Sequence, residues 1–211
     1  MSKPTTLGKC WGLGAEKFLI RPEYKEAEGY VLSVTGFDQD APGVVVTGQP
    51  GIGLSLSAWP RRDLRGLSLG KSVFLLRLLL RRLALKLPTV LQIRSSYALL
   101  FHEGGVKEFQ LGAYGYNELE SEMGPLGRIW ALVDFNDDLI KPSSVFKDGP
   151  FFVVLAAPPR PSCTDWARGR AFRFFYMKPW SFSEALQVYV NLPLRIHDTH
   201  ISTAAHSSTR L

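Results

Sequence analysis

The sequence predicts an α/β protein whose mainly parallel central sheet is covered by helices on both faces. Three observations lead to this prediction: short runs of β-branched and aromatic residues, a leucine-rich segment between two of them, and glycine or proline at most junctions. Strands that are apolar throughout are typical of parallel sheets buried on both sides. With 211 residues, 45% of them hydrophobic and 21% charged, the chain can build one large domain with its own core.

The first half of the chain supplies a helix, a strand and a second helix. Pro22–Leu32 is a predicted helix, because proline suits the first helical turn and apolar residues recur behind it at helical spacing. Val44–Val46 is a β-branched run that predicts a short buried strand. A leucine-rich helix is predicted from about Ser72 to Leu87 and ends at Pro88.

The second half supplies the other strands. A hairpin is predicted across Tyr97–Leu111 because a glycine pair, Gly104 and Gly105, divides two strand-like runs. Ser181 and Glu184 stand three apart and predict a capped helix start. The remaining strands are predicted at Thr89–Ile93, Arg128–Phe135, Phe151–Ala157 and Phe172–Met177.

These elements set the expected domain organisation. Residues 1–17 are expected to form a flexible N-terminus, and residues 18–190 a single domain. Residues 191–211 are polar and lack periodicity, which predicts a disordered tail. Three histidines in that tail lack an acidic or cysteine partner, so a solvated segment is favoured over a metal site.

Charge and cysteine content exclude several classes of protein. Twenty-five basic residues against 19 acidic ones give a net charge of +6, which is mildly basic. Cys10 and Cys163 lie far apart, so neither a disulfide scaffold nor a cysteine zinc site is indicated. Cys163 has no histidine assigned nearby, which argues against a catalytic thiol.

No membrane partner is expected. Met1–Gly14 lacks the apolar run of a signal peptide. Arginines and a lysine interrupt Val73–Leu87, which excludes a spanning helix and predicts a basic outer stripe on a helix that packs on the sheet; a membrane-surface helix is the alternative. We therefore expect an intracellular protein, cytoplasmic or nuclear.

One motif points to chemistry, and it is split. The strand at Val44–Val46 leads into GQPGIG, the first six positions of the phosphate-binding pattern G-x-x-x-x-G-K-[ST]. The Lys-Ser pair follows later, directly before the leucine-rich helix, so that removal of residues 54–70 restores GQPGIGKS. The predicted nucleotide-binding residues are Gly48, Gln49, Pro50, Gly51, Ile52, Gly53, Lys71 and Ser72.

The order strand, glycine-rich loop, helix is what makes this motif physically meaningful. Glycines let successive backbone N–H groups point at a phosphate, and the start of a helix adds partial positive charge. Lys71 is predicted to reach the β and γ phosphates, and Ser72 to bind Mg²⁺.

The 17 additional residues, 54–70, interrupt the loop. Looping them out costs about 2 to 3 kcal/mol of closure entropy, so the strand and helix can still pack. The phosphate-binding loop depends on contiguity, and we expect nucleotide affinity to fall steeply. An in-frame retained intron in the gene model is one hypothesis for the segment; a natural insertion is the other.

A second strand supplies an acidic residue. Trp130–Asp134 is an apolar strand ending in an aspartate, similar to the strand whose carboxylate orders the water shell of Mg²⁺ in ATPases. Phe135 follows where many such enzymes carry a glutamate that activates water. Asp137 or Asp138 is the predicted substitute, so Asp134 and Asp137 are the candidate catalytic residues, and Ser72 and Asp134 the candidate metal ligands.

In ordered succession these pieces resemble the P-loop NTPase domain shared by Crinkler-type and retrotransposon hot spot proteins. The matching segments are FLIRPEY, VVVTGQPGIG with the displaced KSVFLL, LPTVLQ, ALVDFNDD, FFVVLAAPPR and FYMKPWSFSEAL, which together cover about Phe18 to Val190. The resemblance implies a three-layer ASCE/AAA-like fold that binds ATP and Mg²⁺. Members of the group are associated with host-cell nuclei or mobile elements.

Two departures from the family pattern leave other functions open. The phosphate loop is interrupted, and the sequence stops soon after Tyr189, where proteins of this group continue; both count against hydrolysis. A degenerate member that acts through an unknown protein partner is one alternative. A nucleic-acid-associated protein is another, because Trp59 stands beside Arg61, Arg62 and Arg65, although an exposed inserted loop would look the same.

Overall fold

A computed structural model describes residues 21–38, 40–48, 71–111, 129–135, 139 and 141–184. The chain divides into two compact units, Met1–Trp180 and Ser181–Leu211. The first unit contains the central sheet and every helix and strand named below. In the second unit, the Ser181 backbone N–H donates to Glu184 and the Glu184 N–H donates to the Ser181 hydroxyl, which confirms the predicted capping box.

Seven strands form one mixed sheet in the described part of the chain. They are β1 (Gly43–Gly48), β2 (Thr89–Gln92), β3 (Tyr97–His102), β4 (Gly105–Gln110), β5 (Ile129–Asp134), β6 (Phe151–Ala156) and β7 (Arg173–Met177). Their order across the sheet is β4-β3-β2-β5-β6-β1-β7. Strands β2, β5, β6, β1 and β7 are neighbours in that order and pair in parallel. Strands β3 and β4 add an antiparallel hairpin at the β2 edge. Gly105 begins β4 with φ +119°, a backbone conformation that favours glycine.

Helices cover both faces of the sheet. Within the described residues of the first unit they are α1 (Pro22–Phe37), α2 (Lys71–Ala84), α3 (Ser144–Asp148) and α4 (Pro161–Arg168). Apolar residues of α1 and α2 pack with Val44, Val46 and Leu132, on what we call the first face. Phe146 of α3 and Ala167 of α4 pack with residues of the opposite, second face, which include Val45, Val133 and Val153. The alternation along each strand thus gives two cores and three layers.

The sequence-based expectations are confirmed at this level: the protein is α/β, its sheet is mostly parallel, and helices lie on both faces. The β1 run is buried along its whole length, as its valines predict. Helix α1 continues five residues beyond the predicted end at Leu32, to Phe37, while α2 ends at Ala84, three short of Leu87. Neither α3 nor α4 was predicted; both are short, at five and eight residues.

The basic residues of α2 do not form a continuous outer stripe, so that expectation was wrong for Arg82. Arg82 is buried: its side chain donates to the Thr89 hydroxyl at 2.8 Å and to the Pro88 carbonyl at 3.0 Å, and its guanidinium lies 4.3 Å from the Trp130 ring centroid. Within the described residues, none of the helices is long and apolar enough to span a membrane.

Candidate functional site

The strand order and the placement of the helices indicate a crevice at the carboxyl edge of the sheet, between the neighbouring parallel strands β1 and β6. Of the helices that follow these strands, α2 packs on the first face and α4 on the second. When the helices that follow two adjacent parallel strands pack on opposite faces of the sheet, a crevice forms at the carboxyl ends of those strands. Ligands of open α/β sheets bind in this crevice. The candidate site therefore has a topological basis that is independent of any motif.

Three of the predicted site residues meet at this edge. Lys71 and Ser72 are the first two residues of α2, and Asp134 is the last residue of β5. The Ser72 hydroxyl hydrogen-bonds with the Asp134 carboxyl group, and Lys71 is close enough to Asp134 for each charge to act on the other. Residues more than 60 positions apart are thus brought together, because α2 packs across β5 and β6 on the first face.

For both Asp134 and Lys71, the effect of burial on the pKa is larger than the opposing effect of the neighbouring charge. Burial raises the pKa of Asp134 to about 6, and the Ser72 hydrogen bond and the Lys71 charge offset this only in part. Burial also lowers the pKa of Lys71, against the opposing effect of Asp134. Both groups are therefore pushed toward their neutral forms, although each has an oppositely charged neighbour. A ligand that brings an anion to Lys71 and a cation to Asp134 would stabilise both charged forms.

One residue at this edge has a property that the sequence analysis did not single out. Thr47 stands directly before Gly48, is 1% exposed, and its hydroxyl has no hydrogen-bond partner among the described residues. A buried unpaired hydroxyl costs roughly 1 to 3 kcal/mol. The only signal in the sequence is a threonine at the end of a valine run, and this pattern alone does not show whether the hydroxyl finds a partner.

The other predicted site residues lie mostly outside the described part of the chain. Gly48 is placed as the last residue of β1, at the crevice. Gln49, Pro50, Gly51, Ile52 and Gly53, the inserted residues 54–70, and Asp137 and Asp138 are outside the described residues, and their roles stay predictions.

Helix α2 is anchored to α1 by a buried carboxylate. Glu28, whose side chain is 4% exposed, accepts hydrogen bonds from Arg77 Nε at 3.2 Å and Arg77 Nη2 at 3.0 Å, and a further one from Arg81. These arginines lie about two and three turns after Lys71 on the same helix. This contact sets the position of α2 relative to α1 and helps to place the first turn of α2 beside Asp134.

The donor set at the edge suits magnesium more than a transition metal. Among the described residues, no group of three or more His, Cys, Asp or Glu side chains could hold a metal ion. Mg²⁺ is characteristically bound by one or two carboxylates, with water and substrate phosphates completing the shell. The hydrogen-bonded pair of Asp134 and Ser72 offers oxygen donors of this type.

No family model, no curated protein and no solved structure matches this chain.

Proposed function

We propose that this protein binds a magnesium–nucleoside triphosphate at the carboxyl edge of its sheet, and that the nucleotide is ATP. The observation that carries the proposal is the meeting of Lys71, Ser72 and Asp134 beside the β1–β6 crevice. The family resemblance supplies the preference for ATP and the assignment to the ASCE/AAA-like P-loop class.

The proposed role of each residue follows from its chemistry. The Lys71 ammonium would bind the β and γ phosphates, which compensate the charge that burial disfavours. The Ser72 hydroxyl and the Asp134 carboxylate would hold Mg²⁺, directly or through its water shell. The bound metal would neutralise phosphate charge, and the start of α2 adds its partial positive charge.

The position that follows Asp134 is not suited to catalysing hydrolysis. Phe135, the residue after Asp134, is 8% exposed and packs in the core of the second face, so this position cannot activate water. The candidate substitute, Asp137, carries that role only as a prediction from the sequence.

A second candidate function is a protein that keeps this fold and acts through a protein partner without binding nucleotide. The inserted residues 54–70 favour it, because they separate Gly53 from Lys71 within the phosphate loop. In that case the partner is unknown, and the Lys71, Ser72 and Asp134 group would be a remnant of a nucleotide site.

Isothermal titration calorimetry with Mg-ATP decides between these functions. Two chains are titrated in parallel, the sequence as given and the same sequence without residues 54–70. Lys71→Ala is made in both chains. Lys86→Ala is the matched control, because Lys86 is an exposed lysine two residues beyond the end of α2. Loss of a charge-assisted phosphate contact is expected to weaken binding about 10- to 100-fold.

We expect the shortened chain to bind Mg-ATP, the given chain to bind it more weakly, Lys71→Ala to reduce binding and Lys86→Ala to leave it unchanged. Equal binding by the two chains would show that the insertion is tolerated. If neither chain binds, the proposed function is wrong and the protein-partner alternative is favoured.

A further inference from the structure

Residues 160–178 carry a large share of the net positive charge of the chain. The segment holds four arginines and one lysine against one aspartate, a net charge of +4 in a chain whose total is +6. It also contains Trp166 and four aromatic residues on or beside β7. Basic side chains interleaved with aromatic rings are the combination with which proteins bind single-stranded nucleic acid.

Strand β7 presents some of these rings at an edge of the sheet. It pairs with β1 on one side and is the last strand in the sheet order. Its first-face residues have partners within the domain: the Phe175 ring lies 5.5 Å from that of Tyr30, and Arg173 pairs with Asp38. Alternation along the strand puts Phe174 and Tyr176 on the second face.

Phe174 and Tyr176 form a stacked pair. Their ring centroids are 6.2 Å apart and their planes differ by 21°. Tyr176 is 61% exposed, so one ring of the pair is open to a ligand. Arg168, at the end of α4, places its guanidinium 5.8 Å from the Phe174 centroid. We call Phe174, Tyr176 and Arg168 the aromatic platform.

The charge on the platform is available for a contact. The Arg168 side chain is 62% exposed, and its ion pair with Asp165 measures 3.7 Å, longer than a charge-assisted hydrogen bond. Arg170, two residues further on, is also partly exposed, although it pairs with Asp148. Arg168 and Arg170 therefore supply two partly exposed guanidinium groups at and directly after the end of α4, before β7 begins.

We propose that the aromatic platform binds single-stranded nucleic acid, with a base stacked on Tyr176 and the phosphate backbone running along Arg168 and Arg170. Exposed aromatic rings on the open face of a strand stack with unpaired bases, whereas bases in a duplex are already stacked on each other. The platform lies on the second face, and Lys71, Ser72 and Asp134 lie on the first-face side of the carboxyl edge. The inference therefore stands independently of nucleotide binding.

Fluorescence anisotropy of the full chain, without added nucleotide, tests this inference. The probes are labelled oligouridylate and oligodeoxythymidylate of about 12 nucleotides, and a duplex of the same length. Tyr176→Ala removes the exposed ring and Tyr176→Phe retains it. Phe37→Ala is the matched control, because Phe37 is 93% exposed at the end of α1, a helix that packs on the first face, whereas the platform is on the second. Arg168→Ala is compared with Arg94→Ala, which removes an exposed arginine after β2.

We expect both single strands to bind more tightly than the duplex. Tyr176→Ala should weaken binding roughly tenfold, while Tyr176→Phe and Phe37→Ala should stay within about twofold of the parent chain. Arg168→Ala should lower the slope of log affinity against log salt concentration by about 0.7, and Arg94→Ala should not. Thermal unfolding of each variant establishes that it is folded.

Three results would overturn the inference. One is the absence of single-strand binding at low salt. Another is equal affinity for the duplex, which would indicate attraction to phosphates without base stacking. The last is a loss in Tyr176→Ala no larger than the loss in Phe37→Ala, with both variants folded. A difference between the two single strands would identify the preferred nucleic acid and leave the platform assignment intact.

Discussion

Helix α2 contributes to two clusters of charged side chains, and the two clusters differ in how the charge of their carboxylate is compensated. In the middle of the helix, Arg77 and Arg81 surround Glu28 of α1 and supply three hydrogen bonds to one carboxylate. At its start, Asp134 has a hydrogen bond from Ser72 and a charge interaction with Lys71, and its pKa is nevertheless raised to about 6. In the first group the carboxylate is compensated by two arginines, whereas in the second the effect of burial on the Asp134 carboxylate outweighs its favourable interactions.

The difference separates a structural charge cluster from a functional one. A buried ion pair with its hydrogen bonds complete holds two helices together and needs no ligand. A partly buried carboxylate with a raised pKa and an ammonium with a lowered pKa both pay a cost for carrying charge, and a ligand that compensates the charges would remove that cost. Substitutions in the two groups should therefore have opposite effects on the free energy of unfolding.

The largest effect is expected for Glu28→Ala. The change leaves Arg77 and Arg81 facing an apolar gap, and because both arginines are partly exposed they can turn toward water. We expect a loss of about 3 kcal/mol, at the low end of the range for breaking a buried pair. Urea unfolding measures it, with Glu28→Gln as the control that retains an acceptor and should lose less. A loss below about 1 kcal/mol would mean that the pair does not anchor α2.

Asp134→Asn should stabilise the protein at neutral pH. Since the folded pKa is raised from 3.8 to about 6, the contribution of Asp134 to stability is present below pH 4 and is lost as the pH rises through 6. Asparagine stays neutral, so the gain should be small at pH 4 and should approach about 3 kcal/mol at pH 7.5, the free-energy equivalent of the whole pKa shift. Urea unfolding at both pH values tests the sign. Destabilisation at pH 7.5 would place Asp134 in the satisfied class with Glu28.

Arg82→Lys tests a further charged residue of α2, whose hydrogen-bond partners are uncharged. Burial lowers the pKa of Arg82 to about 10, so the group stays charged at neutral pH. Lysine cannot keep both the stacking on Trp130 and the two hydrogen bonds, and we expect a loss of about 1 to 2 kcal/mol. Thermal unfolding provides the measurement. Arg94→Lys, at an exposed position, should change the melting temperature little.

The smallest effect is expected for Thr47→Val. Removal of an unpaired buried hydroxyl should stabilise the protein by about 0.5 to 1 kcal/mol. Thr89→Val is the matched control: Thr89 is also a fully buried strand threonine, but its hydroxyl bonds to Arg82 and to the Leu87 carbonyl, so the same change should destabilise. Equal effects in the two variants would show that the Thr47 hydroxyl is satisfied in solution.

Local patterns in the sequence were enough to predict the strands and the two long helices. Runs such as Val44–Val46 and Phe151–Ala157 are apolar throughout and are buried along their whole length, as is typical of strands in a parallel sheet that is covered on both faces. Helices α3 and α4 were missed because five and eight residues are too few to establish a helical period. Helical spacing also failed to distinguish Arg81 from Arg82, since adjacent residues lie about 100° apart and only the packing decides which one faces Trp130.

For the candidate site, the residue types were predictable and their meeting was not. The Lys71–Ser72 pair and Asp134 stand out in the sequence because each follows or precedes a strongly patterned element. That Ser72 hydrogen-bonds with Asp134 depends on the strand order, which places β5 and β6 under α2, and strand order is a non-local property. The compensation of Glu28 by two arginines from another helix is non-local in the same way.

The most direct test of the central claim is an NMR titration of the Asp134 carboxyl carbon, with and without Mg-ATP, on the chain lacking residues 54–70. The account predicts a pKa of about 6 without ligand and a clear decrease when Mg-ATP is present, because the metal stabilises the carboxylate. A pKa that stays near 6 at saturating Mg-ATP would contradict the assignment of Asp134 to a magnesium–nucleotide site.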